Sequence, residues 1–107
     1  MKRLIGILML GVSLASYAEF KDGNKLLEDI NGSHGTQMNA IGYITGVADA
    51  LTGITFCAPY NTTAGQIYDM TKQYLERFPA NRHNSADRII DHVLKTAWPC
   101  PKKGQNL

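Results

Sequence analysis

TTAGQIYDMTKQYLERFPANRHNSADRIIDHVLKTAWPC (residues 62–100) carries two apolar stripes of helical period on either side of a polar run that begins with proline. In the first half, Ile67, Met70, Thr71, Tyr74, Leu75 and Phe78 recur at three- and four-residue steps, the spacing of one helix face. Thr62 or Thr63 supplies the N-cap and Pro79 the stop. In the second half, Ala86, Ile89, Ile90, Val93, Leu94 and Ala97 form a matching stripe. It is capped at Ser85, has Asp87 in its first turn, and ends before Pro99. The pattern predicts two helices joined by the turn PANRHNS, residues 79–85.

Cys57 and Cys100 are the only cysteines in the sequence, one ahead of the first of these helices and one behind the second. If the two helices run antiparallel, the thiols are neighbours at the open end of the hairpin. Whether they pair depends on the compartment. Residues 1–18, MKRLIGILMLGVSLASYA, have a basic start at Lys2 and Arg3 and an apolar stretch from Leu4 to Leu14. A small-x-small site, Ser16-Tyr17-Ala18, follows, which is the layout of a secretory leader. The apolar stretch is too short to span a bilayer, which takes about 20 residues. The expectation is therefore a leader over 1–18 and one exported domain over 19–107, in an oxidising compartment where the thiols pair. Such a bond closes a loop of about 44 residues and is worth roughly 4 kcal/mol on chain entropy.

The leader also changes the charge balance. The formal charge of +2 comes from 11 basic and 9 acidic side chains. Lys2 and Arg3 leave with the leader, and the mature chain is balanced. No basic cluster with interleaved aromatics suggests nucleic acid.

Upstream of the hairpin, EFKDGNKLLEDI (residues 19–30) reads as a short helix capped by Asp22 or Asn24, with Leu26, Leu27 and Ile30 on one face. NGSHG breaks it. TQMNAIGYITGVADALTG (residues 36–53) is helical by the spacing of Met38, Ile41, Ile44, Val47, Ala48 and Leu51. Gly42, Gly46 and Ala50 repeat every fourth residue on another strip. A helix-interior glycine costs about 1 kcal/mol relative to alanine, so two of them call for a close neighbour. That neighbour lies either within the chain or across a dimer interface. TGITFCAPYN then forms a loop broken at Pro59. The fold class is all-α: a small bundle of about four helices, with one disulfide closing a helical hairpin.

The residues suggest no catalytic centre. A paired thiol attacks nothing, and His34, His83 and His92 lack the spacing of a metal site. Asp49, Asp69, Glu76, Asp87 and Asp91 are scattered along polar faces. Tyr60, Tyr68 and Tyr74 read as packing residues that also suit a partner surface. Asn31 and Asn61 open glycosylation patterns that matter only in a eukaryotic host. No cofactor and no metal is expected. The reading is a non-enzymatic, exported binding domain.

Five motifs in order carry a resemblance: F-x-D-G-N-x-L-L, G-Y-I-T-G-V-A-D-A, F-C-A-P-x-x-T-T-A-G-Q, Y-L-x-x-F-P-A-N-R-H and A-W-P-C. They involve Phe20, Gly23, Asn24, Leu27, Gly42, Tyr43, Gly46, Asp49, Cys57, Pro59, Gln66, Tyr74, Leu75, Pro79, Arg82, His83, Trp98, Pro99 and Cys100. Together they resemble the Tai/Rap immunity family of type VI secretion systems. The resemblance implies a small, helical, dimeric periplasmic protein. It would bind and block a peptidoglycan amidase, a cysteine–histidine hydrolase delivered by sister cells. Relatives carry a further cysteine pair near the positions of Ile30 and Ala40. Without it, the first helix here is expected to be held by packing alone. Acid-stress chaperones of the HdeA type, also small, helical and periplasmic, are the alternative.

On the immunity reading, the end of the third helix and the following turn are expected to contact the amidase, through Glu76, Arg77, Asn81, Arg82, His83 and Asn84. The strip Gly42, Gly46 and Ala50 is expected at a helix-packing or dimer contact. After leader removal no membrane contact is expected.

Overall fold

The computed structural model describes residues 20–102, and the expected leader lies outside them. Four helices follow one another: α1 (Gly23–Ile30), α2 (His34–Leu51), α3 (Ala64–Arg77) and α4 (Ala86–Ala97). A single 3-10 turn, Pro79–Asn81, separates the last two. The described residues contain no strand, only isolated bridges between Asp22 and Ser85 and between Thr52 and Phe56. The all-α expectation holds.

Local chemistry sets most helix starts. Asp22, rather than Asn24, caps α1 by accepting the Lys25 N–H at 2.8 Å. Thr63 caps α3 in a reciprocal pair: its hydroxyl accepts from Gln66 N, and the Gln66 side chain accepts from Thr63 N. Helix α2 begins at His34, two residues earlier than the pattern predicts, because Ser33 provides the cap. Ser85 occupies the cap position of α4, but its side chain makes no capping bond. Instead, Ala86 N–H donates to the Lys21 carbonyl at 2.8 Å, so the N-terminal segment satisfies that helix end.

All four helices bury one row into a shared core: Leu26 and Ile30, then Ala40, Ile44 and Ala48, then Ile67 and Leu75, then Ala86, Ile89, Ile90 and Leu94. The α2 row differs from the expected stripe. Ala40, Ile44 and Ala48 are buried, Ile41, Val47 and Leu51 are half-buried, and Met38 is half exposed. Helix α2 lies against the other three, and alanines at the contact let their backbones come close.

The α2–α3 loop is also part of the core. Gly53, at φ +84°, turns the chain in a conformation that side chains disfavour, and its N–H reaches the Phe56 carbonyl at 2.7 Å. Phe56 is then fully buried, which contributes about 1.5–3 kcal/mol. Beside it, Cys57 bonds Cys100 with 4.8 Å between the Cα atoms, and Cys57 N–H donates to the Trp98 carbonyl at 2.8 Å. The disulfide closes the open end of the α3–α4 hairpin, as expected.

Helix α1 is held by more than packing, which corrects the expectation for a chain without a second cysteine pair. The Thr36 hydroxyl donates to the Asp29 carbonyl at 3.0 Å, and Gln37 Nε2 to the Ile30 carbonyl at 3.1 Å. The first turn of α2 thus satisfies the last carbonyls of α1. At the other end, Gly23 N–H donates to the Asn84 carbonyl and Asn24 N–H to the Arg82 carbonyl, both at 3.0 Å. A Cβ at Gly23 would lie 2.6 Å from Ile89 Cδ1 and 2.8 Å from the Arg82 carbonyl oxygen, so only glycine lets these segments meet.

Asp29 completes this joint. Its buried carboxylate pairs with Lys21 Nζ at 3.0 Å and with Lys25 Nζ at 3.5 Å. Burial by itself raises the Asp29 pKa, but the hydrogen bond and charge of Lys21, with help from Lys25, outweigh it. The carboxyl titrates below its ordinary range.

Replacing Cys57 by alanine should lower the unfolding free energy by about 2–5 kcal/mol in urea titrations of the oxidised protein, with free-thiol titration of the parent giving none. Asp29→Asn should cost about 1–3 kcal/mol at neutral pH. A depressed carboxylate stabilises the fold above the unfolded pKa, about 3.9, and that stability is lost as pH falls through the lower folded value. Urea midpoints measured from pH 7 to pH 2 should therefore show an acid limb that is steeper in the parent than in Asp29→Asn.

Candidate interaction surface

The α3–α4 turn is a compact knot. After Pro79 opens the 3-10 turn, Asn81 N–H returns to the Phe78 carbonyl at 3.0 Å and Asn84 N–H to the Asn81 carbonyl at 3.2 Å. Side chains add to it. Asn81 Nδ2 donates to the Tyr74 hydroxyl at 3.1 Å, Asn84 Nδ2 to the Asn81 carbonyl at 3.1 Å, and His83 Nδ1 lies 3.0 Å from the Ala80 carbonyl. Arg82 folds back, donating through Nε to the Leu75 carbonyl at 2.6 Å. That bond satisfies an orphan carbonyl in the last turn of α3.

The six residues expected to meet a partner therefore divide. Asn81 and Arg82 are half-buried, with side chains already engaged inside the turn. Glu76, Arg77, His83 and Asn84 are exposed. Glu76 and Arg77 do not share a face with one target. Two residues on from Tyr74, Glu76 points to the far side of α3, whereas Arg77 rises beside the Tyr74 row.

That row forms a groove not foreseen from the sequence. Between α3 and α4 runs a cleft of about 360 Å³ lined by Met70, Tyr74, Arg77, Phe78, His92 and Val93, among others. The stripe residues Met70, Tyr74 and Phe78 lie at its floor and rim rather than wholly in the core, and Phe78 keeps 46% of its surface exposed. Tyr74 stands 4.9 Å from the Phe78 ring and 5.5 Å, edge to face, from His92. Past Tyr74 and His92 the cleft continues into a second hollow of about 370 Å³ reached by Asn84 and Arg88. The spacing of Met70, Tyr74 and Phe78 every fourth residue was the available signal, because a stripe that wide overruns one core face.

The small-residue strip of α2 lies on the opposite kind of surface. A Cβ at Gly42 or Gly46 would meet nothing within 4 Å, and Gly42, Gly46 and Ala50 are all exposed. Of the two neighbours left open by the sequence, no other described helix of this chain meets a side chain built at Gly42 or Gly46.

The remaining candidates fall into place singly. His34, His83 and His92 lie on separate segments, and no group of three potential metal ligands occurs among the described residues. Asp49 is exposed on α2. Tyr68 and Tyr74 pack against the core, whereas Tyr60 is fully exposed and Ile54 is 72% exposed, both on the loop between α2 and α3. Tyr43 is half-buried under the Lys21 ammonium, 4.9 Å from its ring centre. Burial, then the Asp87 charge, push its phenol upward, against a backbone hydrogen bond at Asp87 that lowers it. No described helix is long and apolar enough to cross a membrane.

With this geometry in place, comparison with known families shows that the model for Rap1a immunity proteins matches residues 22–100. No curated protein matches the chain.

Proposed function

The chain belongs to the Rap1a immunity proteins, and from that premise we propose that it is a periplasmic inhibitor that binds a type VI secretion peptidoglycan amidase and obstructs its catalytic cleft. The family match carries the reading. The leader-like residues 1–18 and the Cys57–Cys100 bond favour an exported protein in an oxidising compartment. With both sulfurs bonded, the chain offers no thiol nucleophile of its own, consistent with an inhibitor rather than a hydrolase.

The α3–α4 turn is the part best suited to enter a cleft. It projects His83 and Asn84 from a knot whose backbone is already bonded, with Arg77 one turn below. Binding through a preorganised loop loses less conformational entropy than ordering a flexible one. Arg82 contributes by holding the turn, so its removal tests folding as much as contact. The cleaner variant is His83→Ala, exposed on the turn itself. Its affinity for a type VI amidase that the parent binds should fall about tenfold or more by calorimetry, with an unchanged circular dichroism spectrum. Undiminished binding would move the contact away from the turn.

We further propose that two copies associate along Gly42, Gly46 and Ala50. The strip is smooth and faces outward, which allows two helix backbones to approach closely, whereas a glycine in an exposed helix otherwise only destabilises it. Because nothing in the chain obstructs a side chain there, Gly46→Leu should leave the fold intact and convert a dimer to a monomer in light scattering. A parent that is monomeric at micromolar concentration would refute this.

A further inference from the structure

The described chain is close to neutral, yet the α3–α4 groove is one-sided. Arg77 lines the cleft and Arg88 its continuation, with His92 shared by both, and no carboxylate lines either. Most other cations are engaged elsewhere: Lys21 and Lys25 pair with Asp29, Lys95 with Asp91, and Arg82 donates to a carbonyl, while Lys72 lines neither hollow. The Arg77 and Arg88 side chains make no ion pair or hydrogen bond with any described residue. Between them lie three rings, Tyr74, Phe78 and His92, with Met70 and Val93 completing an apolar floor. The Tyr74 hydroxyl is fixed by Asn81, so the ring is oriented before anything binds.

We propose that this groove receives a protruding segment of the amidase that carries an aromatic side chain flanked by carboxylates. The inference rests on the immunity reading for the identity of the partner, and on the lining alone for its chemistry. The ring stacks against Tyr74 and Phe78, where aromatic pairs add to the area they bury. The carboxylates meet Arg77 on one side and Arg88 on the other, in the bidentate geometry that guanidinium groups favour. Recognition is then mutual: the turn enters the partner while the partner enters the groove beside it. A lysine-flanked segment is rejected by like charge.

The test uses the purified, oxidised protein and two short capped peptides, each with one phenylalanine, flanked in one by glutamates and in the other by lysines. In NMR titrations at low salt, the glutamate peptide should shift the resonances of Tyr74, Phe78, His92 and Val93 saturably. The lysine peptide should bind at least about fivefold more weakly, and Arg77→Glu with Arg88→Glu should reverse the preference. Shifts elsewhere, or equal response to both peptides, would overturn the proposal. The same double variant separates the two readings. If the parent binds an amidase and the double variant binds it equally well, the groove fails and the immunity reading stands. If the parent binds no amidase but keeps the acidic-peptide preference, the immunity reading fails and the groove stands as an acidic-segment site.

Discussion

The joint between the start of α1 and the α3–α4 turn governs the arrangement of everything else. Three backbone bonds cross it, from Gly23 to Asn84, from Asn24 to Arg82 and from Ala86 to Lys21. Each satisfies a donor at a helix start that would otherwise be orphaned, so two helices are capped by each other's flanking chain. Gly23 makes the approach possible, and the Asp29–Lys21 pair holds the segment before α1 in position. The turn is therefore held by a contact some 60 residues away in sequence as well as by its own hydrogen bonds.

That dependence explains which features could be read from the chain. Helix identity was legible, since Ile67, Leu75, Ile89 and Leu94 repeat with the right period and proline marks the ends. Pairing of Cys57 with Cys100 was legible because only two thiols exist and the leader-like start places them in an oxidising compartment. The role of Arg82 was not. An arginine in a polar turn looks like a contact residue, and only the path of the chain shows the Leu75 carbonyl within its reach. Asp29 escaped for the same reason: its partner Lys21 lies eight residues back, outside the helix that the periodicity describes.

The groove illustrates a further limit. Phe78 and Met70 fit a core stripe in one dimension, but α4 covers only part of the width of α3, and the uncovered remainder is left as surface. The α2 face failed in the opposite direction. Ala40, absent from the expected stripe because a small side chain carries little hydrophobic signal, is fully buried beside Ile44 and Ala48. Gly23, Gln66, Arg82 and the two cysteines serve folding here, while Arg77, His83 and Arg88 stand exposed.

The closed ring formed by α3, the turn, α4 and the disulfide gives the protein a tolerance that a linear hairpin lacks. Pro79, Ala80, His83 and Asn84 leave the turn exposed enough for a protease to cut. A single cleavage there would break the chain without separating it, because Cys57 and Cys100 would still tie the two fragments at the other end. The helices would remain at high local concentration and re-form their contacts as an intramolecular event. A nicked molecule would stay assembled where proteases are abundant, and a reductant would be needed to part the pieces.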